Sequence, residues 1–455
     1  MHIALVAISG LRPYDQALTD VGRSLIGVQS RWDAIASLPS LALLTLAGMT
    51  GKEHEYIYRE VDHADKLDTL PGDVDFVALS SYTAKIDLAY AVAAHYRARG
   101  VPSVIGGPHV SVLPEEAATH CDAVVVGEGE SAWPQVIEDA ARGGLRRIYG
   151  GLDATFSLRD APLPAYELLD LSRYNRLPVQ TSRGCPHRCE FCASSVLIAG
   201  KYKQKPVEKV LAEVDKIKAL WPRPFIEFAD DNSFVSRRYW KTLLEELRGR
   251  KVRWFAQTDL AVSRDDDLLA LMRDSGCAQV LIGFESPCAE DLEGLELRND
   301  WKRRHFRDSR DAIRRIQAHG ITVLGCFVVG MDTQGPACFD AVYDFARETE
   351  MYDVQVTILT PFPGTPLYDR LRREDRLFAE AAWHKCTLYD VNYQPRRMSA
   401  AQLEDGFRDL IVRLYRPEET AWRRKCYKRR QRERMRATVT EGSTPASCQE
   451  QDTPP

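Results

Sequence analysis

The chain has 455 residues, enough for two or three domains with a sizeable core. Hydrophobic residues make up 44% and charged residues 28%, and a formal net charge of -4 excludes a molecule that is basic as a whole and built to seek nucleic acid. Of its 11 cysteines, all but the three between residues 185 and 192 stand singly, a reduced intracellular pattern and not a disulfide framework. The opening Met1-His2-Ile3-Ala4-Leu5-Val6-Ala7-Ile8 has no cationic flank or cleavage site. No stretch approaches about 18 apolar residues, so the expectation is a cytoplasmic protein without signal peptide or transmembrane span.

Residues 1–150 alternate short apolar runs with helical patterns, which predicts a doubly wound parallel sheet. Strands are expected at Ile3–Ile8, Val74–Ser80, Ser103–Gly106 and Ala123–Gly127. Helices are expected at Asp87–Arg99, before Gly100, and Ser131–Arg142, before Gly143. Ligands of such sheets bind outside the carboxyl ends of the strands. Here those ends read Ser80-Ser81-Tyr82-Thr83, Gly106-Gly107-Pro108-His109 and Gly127-Glu128-Gly129-Glu130. Small residues at three successive strand ends would let a large flat ligand lie against the backbone; tight turns are the plainer alternative. Taken together, with Pro114-Glu115-Glu116 after the second, they resemble the cobalamin-binding domain that precedes the radical S-adenosylmethionine (SAM) domain in a large enzyme family. The resemblance implies cobalamin contacts at Ser80, Ser81, Gly106, Gly107, Gly127, Glu128 and Gly129. Many such domains carry Asp-x-His-x-x-Gly after the first strand, the histidine taking the lower cobalt position. This chain has Ser9-Gly10-Leu11-Arg12-Pro13 there, so cobalamin is expected without a protein histidine on cobalt.

A Leu- and Pro-rich linker, residues 151–175, leads to a second series of elements over 176–370. Strands are expected at Val179–Thr181, Phe225–Ala229, Arg253–Thr258, Gln279–Phe284, Thr322–Val329 and Val354–Leu359. A helix at Val207–Leu220 shows apolar spacing at Val207, Val210, Leu211, Val214 and Ile217. After the first strand comes Cys185-Pro186-His187-Arg188-Cys189-Glu190-Phe191-Cys192, a C-x3-C-x2-C spacing that fits three corners of a [4Fe-4S] cubane. A four-iron cluster normally takes a thiolate on each iron, so three cysteines leave one iron open. A zinc site completed by His187 or a distant cysteine is the alternative, but only one C-x2-C pair is present. The loop strongly resembles the radical SAM signature. That resemblance implies a partial, six-stranded TIM-like barrel, SAM chelated on the open iron, and cleavage of SAM to a 5'-deoxyadenosyl radical. Function in such barrels sits on the loops after the strands. By resemblance, Glu285 is a SAM ribose or amino contact, and Asp230 and Asp231 occupy the place of the amino-group loop, often Gly-Gly-Glu. Either aspartate could instead be a helix N-cap. Thr360-Pro361-Phe362-Pro363-Gly364-Thr365-Pro366-Leu367-Tyr368 resembles the closing strand-loop signature of the same enzymes.

Residues 371–436 carry Trp383, Tyr389, Tyr393 and a predicted helix at Ala400–Tyr415, a segment suited to closing the barrel mouth. The run from Arg423 to Arg434 is strongly basic, which leaves nucleic acid or an anionic membrane as a secondary reading, and 437–455 is Ser-, Thr- and Pro-rich and expected to be disordered. The fold class is therefore α/β: a Rossmann-like cobalamin-binding domain, a radical SAM barrel and a small helical C-terminal segment. The family resemblance implies methylation of an unactivated carbon or phosphorus of a small-molecule or lipid substrate. It also implies an electron donor such as flavodoxin or ferredoxin. An anaerobic cyclase or redox rearrangement is the alternative chemistry.

Overall fold

The structure, a computed structural model, describes residues 1–10, 13–50, 53–193 and 202–441. Its amino-terminal third is built on six strands: β1 (His2–Ile8), β2 (Glu55–Val61), β3 (Phe76–Ser80), β4 (Ser103–Gly106), β5 (Ala123–Val126) and β6 (Ile148–Gly150). They lie in the order β2-β1-β3-β4-β5-β6, and every neighbour is parallel. Ile3, Leu5 and Ala7 of β1 face one apolar layer with Leu44 and Trp133, while Ala4, Val6 and Ile8 face the other with Val92 and Tyr96. Burial on both faces is why β1, β3, β4 and β5 appear as unbroken apolar runs. The helices α1 (Gln16–Ser24), α2 (Ile26–Ala36) and α3 (Leu41–Met49) separate β1 from β2. After β3 comes α4 (Ile86–Arg97), after β4 the short α5 (Pro108–Val112) and α6 (Pro114–Ala117), and after β5 comes α7 (Gly129–Ala141).

A second parallel sheet follows, made of β7 (Leu177–Val179), β10 (Phe225–Phe228), β11 (Arg253–Thr258), β12 (Cys277–Glu285), β13 (Thr322–Val329) and β14 (Asp353–Ile358). Their order is β14-β13-β12-β11-β10-β7, so β7 and β14 are edges. Alternate residues of the strands, Glu227, Phe255, Gln279, Leu324 and Gln355 among them, line one cavity, which shows that the sheet curls into an open six-stranded barrel. Between β7 and β10 stand the antiparallel pair β8 (Ser182–Arg183) and β9 (Lys203–Gln204) and then α8 (Val207–Leu220). The outer helices continue with α9 (Arg237–Leu247), α10 (Asp266–Asp274), α11 (Trp301–His305), α12 (Ser309–Ala318) and α13 (Cys338–Glu348). The strand expected at Val179–Thr181 ends its pairing earlier, because the Thr181 amide donates to the Asp230 carboxylate at 2.7 Å and not to a neighbouring strand.

The chain closes with α14 (Pro366–Arg373), α15 (Ala400–Tyr415) and α16 (Pro417–Glu441). Ser399 and Gln402 form a reciprocal capping box that fixes the start of α15 as expected. The basic run lies on α16, where Lys425, Lys428, Arg429 and Arg432 are exposed and the others are wholly or partly packed. Arg423, 1% exposed, donates to the Leu414 carbonyl at 2.6 Å, Arg429 and Arg430 pair with Glu350 at 2.6 and 2.7 Å, and Tyr427 reaches the Gly320 carbonyl. Residues 437–441 of the tail expected to be disordered continue α16, and 442–455 lie outside the described residues. Among the described residues no helix is long and apolar enough to cross a membrane.

Candidate functional site

The carboxyl ends of both sheets meet. At the first sheet, Gly107 has φ +126°, and a Cβ there would stand 2.3 Å from the Ser81 carbonyl oxygen; Gly127 has φ +79° and only 2.6 Å to the Gly151 oxygen. Neither position can carry a side chain, so the backbone itself forms the floor. Above it lies a cavity of about 320 Å³ between α3 and α7, lined by Thr45, Leu46, Ser80, Gly106, Gly107 and Trp133. A neighbouring cavity of about 260 Å³ covers the ends of β1 and β3 with Ser9, Ser40, Ser80, Ser81 and Tyr82. Apolar walls, a bare glycine floor and scattered hydroxyls fit a corrinoid and its nucleotide tail. No histidine is among the described residues lining either cavity. Leu11 and Arg12 of the loop after β1 lie outside the described residues.

Glu128, which lines the first cavity, also ties the two domains together. Its carboxylate accepts from Arg183 Nη1 and the Phe156 amide, each at 2.8 Å, and pairs with Lys203. Glu130 binds the same guanidinium, through Arg183 Nη1 at 3.1 Å and through Nη2. Arg183 stands two residues before Cys185, so the glycine loop of the first domain is clamped to the strand that leads into the cysteine loop. The cavity wall includes Gly127, Gly129, Arg183 and Asp231 together.

Cys185, Cys189 and Cys192 lie on the loop after β8. Burial pushes the Cys185 thiol up to about 11 and that of Cys189 up to about 12, with the other cysteine charges adding to the rise. Metal binding would have to displace these protons. Among the described residues no group of three His, Cys, Asp or Glu side chains is gathered tightly enough to hold one metal ion. The loop is braced from three sides. Glu190 accepts the Leu367 amide on its carbonyl at 3.1 Å and Arg370 on its carboxylate at 2.6 Å; the Glu190 amide donates to Leu295 O; and Glu296 accepts the Arg188 amide at 2.9 Å. The Pro-Gly segment 361–364 therefore leads into a helix start that rests on the cysteine loop, with Thr365 as its N-cap.

Four rim residues form a network that the sequence placed on adjacent loops but did not connect. Asn232 Nδ2 donates to Asp259 Oδ2 at 3.0 Å and stands 3.7 Å from Cys185 Sγ, and His187 Nε2 lies 3.1 Å from the same Asp259 oxygen. Burial works against the Asp259 charge, yet His187, Asn232 and the Ala261 amide hold its pKa below the usual carboxylate range. Asp230, expected in the place of the SAM amino-group loop, braces the start of the cysteine loop. It is 3% exposed, and its two oxygens accept from the Thr181 amide and hydroxyl, the Ser182 amide and the Ser233 hydroxyl. Asp231 stays on the cavity wall and receives the Gly184 amide at 2.8 Å. Glu285 ends β12 at φ +65°, beside a bulge, with Lys302 Nζ 2.6 Å from its Oε1. Burial alone would lower the Lys302 pKa, but Glu285 wins and raises it. The aromatics of the C-terminal segment make specific packing contacts. Trp383 packs on His109 and donates to Glu116, Tyr389 meets Trp32, and Tyr393 is fully buried on the Gly330 carbonyl.

Comparison with known proteins agrees with this layout. Residues 36–137 match the B12 binding domain, 179–346 the Radical SAM superfamily, and 365–448 a domain of unknown function, DUF4070. The chain is 27% identical over 397 residues to the bacteriochlorophyllide d C-12(1)-methyltransferase of Chlorobaculum tepidum, covering 83% of each. It is 29% identical over 397 residues to an uncharacterized methyltransferase of Synechocystis, covering 84% of this chain and 70% of that one. Among solved structures, the radical SAM methyltransferase TsrM from Kitasatospora setae, with cobalamin and a [4Fe-4S] cluster bound, has a TM-score of 0.64 at 14% identity, covering 96% of this chain and 99% of that one. The order of matched domains, the shared fold and the cysteine loop set against the glycine floor lead to one conclusion: the chain belongs to the cobalamin-binding-domain-containing radical SAM enzymes, whose cofactors are a [4Fe-4S] cluster, SAM and cobalamin.

Proposed function

We propose that the protein is a cytoplasmic methyltransferase that uses SAM, a [4Fe-4S] cluster and cobalamin to methylate an unactivated carbon, or phosphorus, of a small-molecule or lipid substrate, with reducing electrons from a flavodoxin or ferredoxin. One observation carries the reading: Arg183, two residues from Cys185, binds Glu128 and Glu130 of the glycine loop, which sets the two cofactor regions side by side. Radical cleavage of SAM and a cobalt-borne methyl group are useful together only at such close quarters.

When bound, the reduced cluster supplies the electron that cleaves SAM to a 5'-deoxyadenosyl radical, and the corrinoid carries the methyl group. Cys185, Cys189 and Cys192 would ligate three irons. Asn232 offers an N–H toward the Cys185 sulfur, and the Asp259 carboxylate holds Asn232 in that pose. Asp230 fixes the Thr181–Ser182 turn, and Asp231 fixes Gly184, so the loop is preorganised before metal arrives. Glu285 keeps one oxygen toward Lys302 and has a second for a ribose hydroxyl or the SAM amino group. Gly106, Gly107, Gly127 and Gly129, with Ser80 and Ser81, would seat the corrinoid by backbone approach.

Anaerobically purified protein from cells supplied with cobalamin should hold about four iron, four sulfide and one cobalt per chain. Turnover with methyl-deuterated SAM should give S-adenosylhomocysteine matched to 5'-deoxyadenosine and a labelled product. Iron and sulfide without cobalt would remove the corrinoid from the reading; 5'-deoxyadenosine without S-adenosylhomocysteine would move it to cyclisation or rearrangement.

A further inference from the structure

A cavity of about 1,080 Å³ occupies the barrel lumen, away from the glycine floor. Its walls are the inward residues of β10 to β14, with α2 across the open side and the start of α16 beneath. Leu25, Leu38, Leu281 and Leu324 give it apolar surface. The charged residues lining it are Arg31, Arg176 and Arg424 against Glu227 and Asp353, three cations to two anions.

The pairing is incomplete where it matters. Arg31 rests its Nε and Nη2 on the neutral amide oxygen of Gln355, at 2.8 and 2.5 Å, and approaches Asp353 only to 3.9 Å. Arg176 pairs with Glu227 through Nη1 at 2.9 Å, while its Nε is buried with no hydrogen-bond partner among the described residues. Burial first, and the nearby Arg31 as well, push the Arg176 pKa down against the pull of Glu227. Two neighbouring half-buried guanidiniums with donors left over form a fork for an oxyanion.

The lumen leads toward the candidate SAM contact. Glu227, Phe255 and Gln279 share one hydrogen-bonded row, and Glu285 lies six residues further along β12, about 20 Å away at strand rise. Between them Gly283 lies under the Glu285–Lys302 pair, since a Cβ there would meet Glu285 Oε1 at 2.5 Å and Lys302 Nζ at 3.3 Å, so that pair caps the row at this end. We infer that the lumen is the substrate chamber and that Arg31 and Arg176 bind an oxyanion, carboxylate or phosphate, at the far end of an amphipathic substrate whose reacting carbon lies below Glu285. This deepens the methyltransferase reading and rests on it only for the identity of the reaction.

The test is calorimetric titration of the anaerobic, cofactor-loaded full chain with dodecanoate, dodecyl phosphate, dodecan-1-ol and inorganic phosphate. At least one anionic amphiphile should bind about tenfold or more tightly than the alcohol and than inorganic phosphate. The better of the two identifies carboxylate or phosphate as the group recognised. Arg176→Gln should weaken that ligand about tenfold and leave the alcohol unchanged. Glu227→Gln, which releases Arg176, should tighten it, a gain that damage to the fold cannot produce. Equal affinity for the anionic and neutral amphiphiles, no binding of either anion, inorganic phosphate binding as tightly, or indifference to both substitutions would each overturn the inference. Binding is read without turnover, so a chain that passes this test but makes no S-adenosylhomocysteine loses the methyltransferase reading and keeps the anion site.

Discussion

Replacing Arg183 by Met tests the joint between the two domains. The arginine side chain is 18% exposed and those of Glu128 and Glu130 are 5% and 7% exposed, so the triad is largely withdrawn from water. Removing one member of a buried ion pair costs about 3–5 kcal/mol because the other charge is left uncompensated. Glu128 retains Lys203 and the Phe156 amide, so the orphan is Glu130, and partial access to water favours the low end, about 3 kcal/mol. Adding Glu130→Gln removes that orphan charge and should return about 2 kcal/mol, a coupling measurable as a double-mutant cycle. Anaerobic urea titration, followed by cluster absorbance and tryptophan fluorescence in parallel, reads the midpoint and reveals whether the domains part before they unfold. An unchanged midpoint in Arg183→Met, or a double variant no better than the single, would refute the clamp. Acid gives a second reading. Burial would raise Glu128, but Lys203, the Phe156 amide and Arg183 outweigh it and hold it below its ordinary 4.5. The carboxylate's contribution is therefore complete above about pH 4.5 and declines as pH falls through the lowered folded value.

Substituting any of Cys185, Cys189 or Cys192 by Ala should abolish 5'-deoxyadenosine formation and deplete iron and sulfide; full iron content in any one variant would remove that cysteine from the ligand set. Gly107→Ala forces a Cβ to 2.3 Å from the Ser81 oxygen at a left-handed φ, so cobalamin affinity should fall by about tenfold or more while iron content holds. Glu285→Gln leaves the buried Lys302 ammonium without its carboxylate, and equilibrium binding of SAM to the reconstituted protein should weaken about tenfold, with cobalamin binding unaltered. Residues 176–370 expressed alone should be insoluble, since both barrel edges would lose their covers; a monodisperse, soluble fragment would contradict that.

Much of this fold could be anticipated from sequence wherever one physical signal dominated. β1, β3, β4 and β5 are apolar on both faces and stand out, whereas β2, with the sequence EYIYREV, and the three-residue β6 are edge strands whose charges and brevity hide them. α2 escaped notice because it faces the barrel lumen through Arg31 and Ser30 and the core through Val28 and Trp32, so it shows no single apolar stripe. The cysteine triad was visible because metal ligation fixes local spacing. Its supports were not: Asp230 braces residues 48 and 49 positions earlier, and Arg183 meets acids 53 and 55 positions earlier. The basic run from Arg423 illustrates the converse, since composition reports the charges but not Glu350 and the backbone carbonyls that receive them.

The open barrel explains why the domains must be joined. Six strands do not close a cylinder, and the free edges of β7 and β14 would present unpaired backbone to solvent and to other chains. On β14, the Ile358 amide donates to the Leu388 carbonyl at 2.8 Å, the Tyr415 hydroxyl donates to the Val354 carbonyl, and Arg31 holds the Gln355 side chain. On β7, the Tyr166 hydroxyl donates to the Pro178 carbonyl at 2.7 Å. The covers come from α2 of the first domain, from the linker, and from the segment ending in α15, with no added strand among the described residues. Side chains and a helix leave a seam where strands would leave a wall, and the lumen cavity opens along that seam between α2 and α16. The same omission that makes the barrel dependent on its neighbours thus leaves its lumen bounded by side chains of α2 and α16, while the clamp at Arg183 holds the glycine loop to the strand before the cysteines.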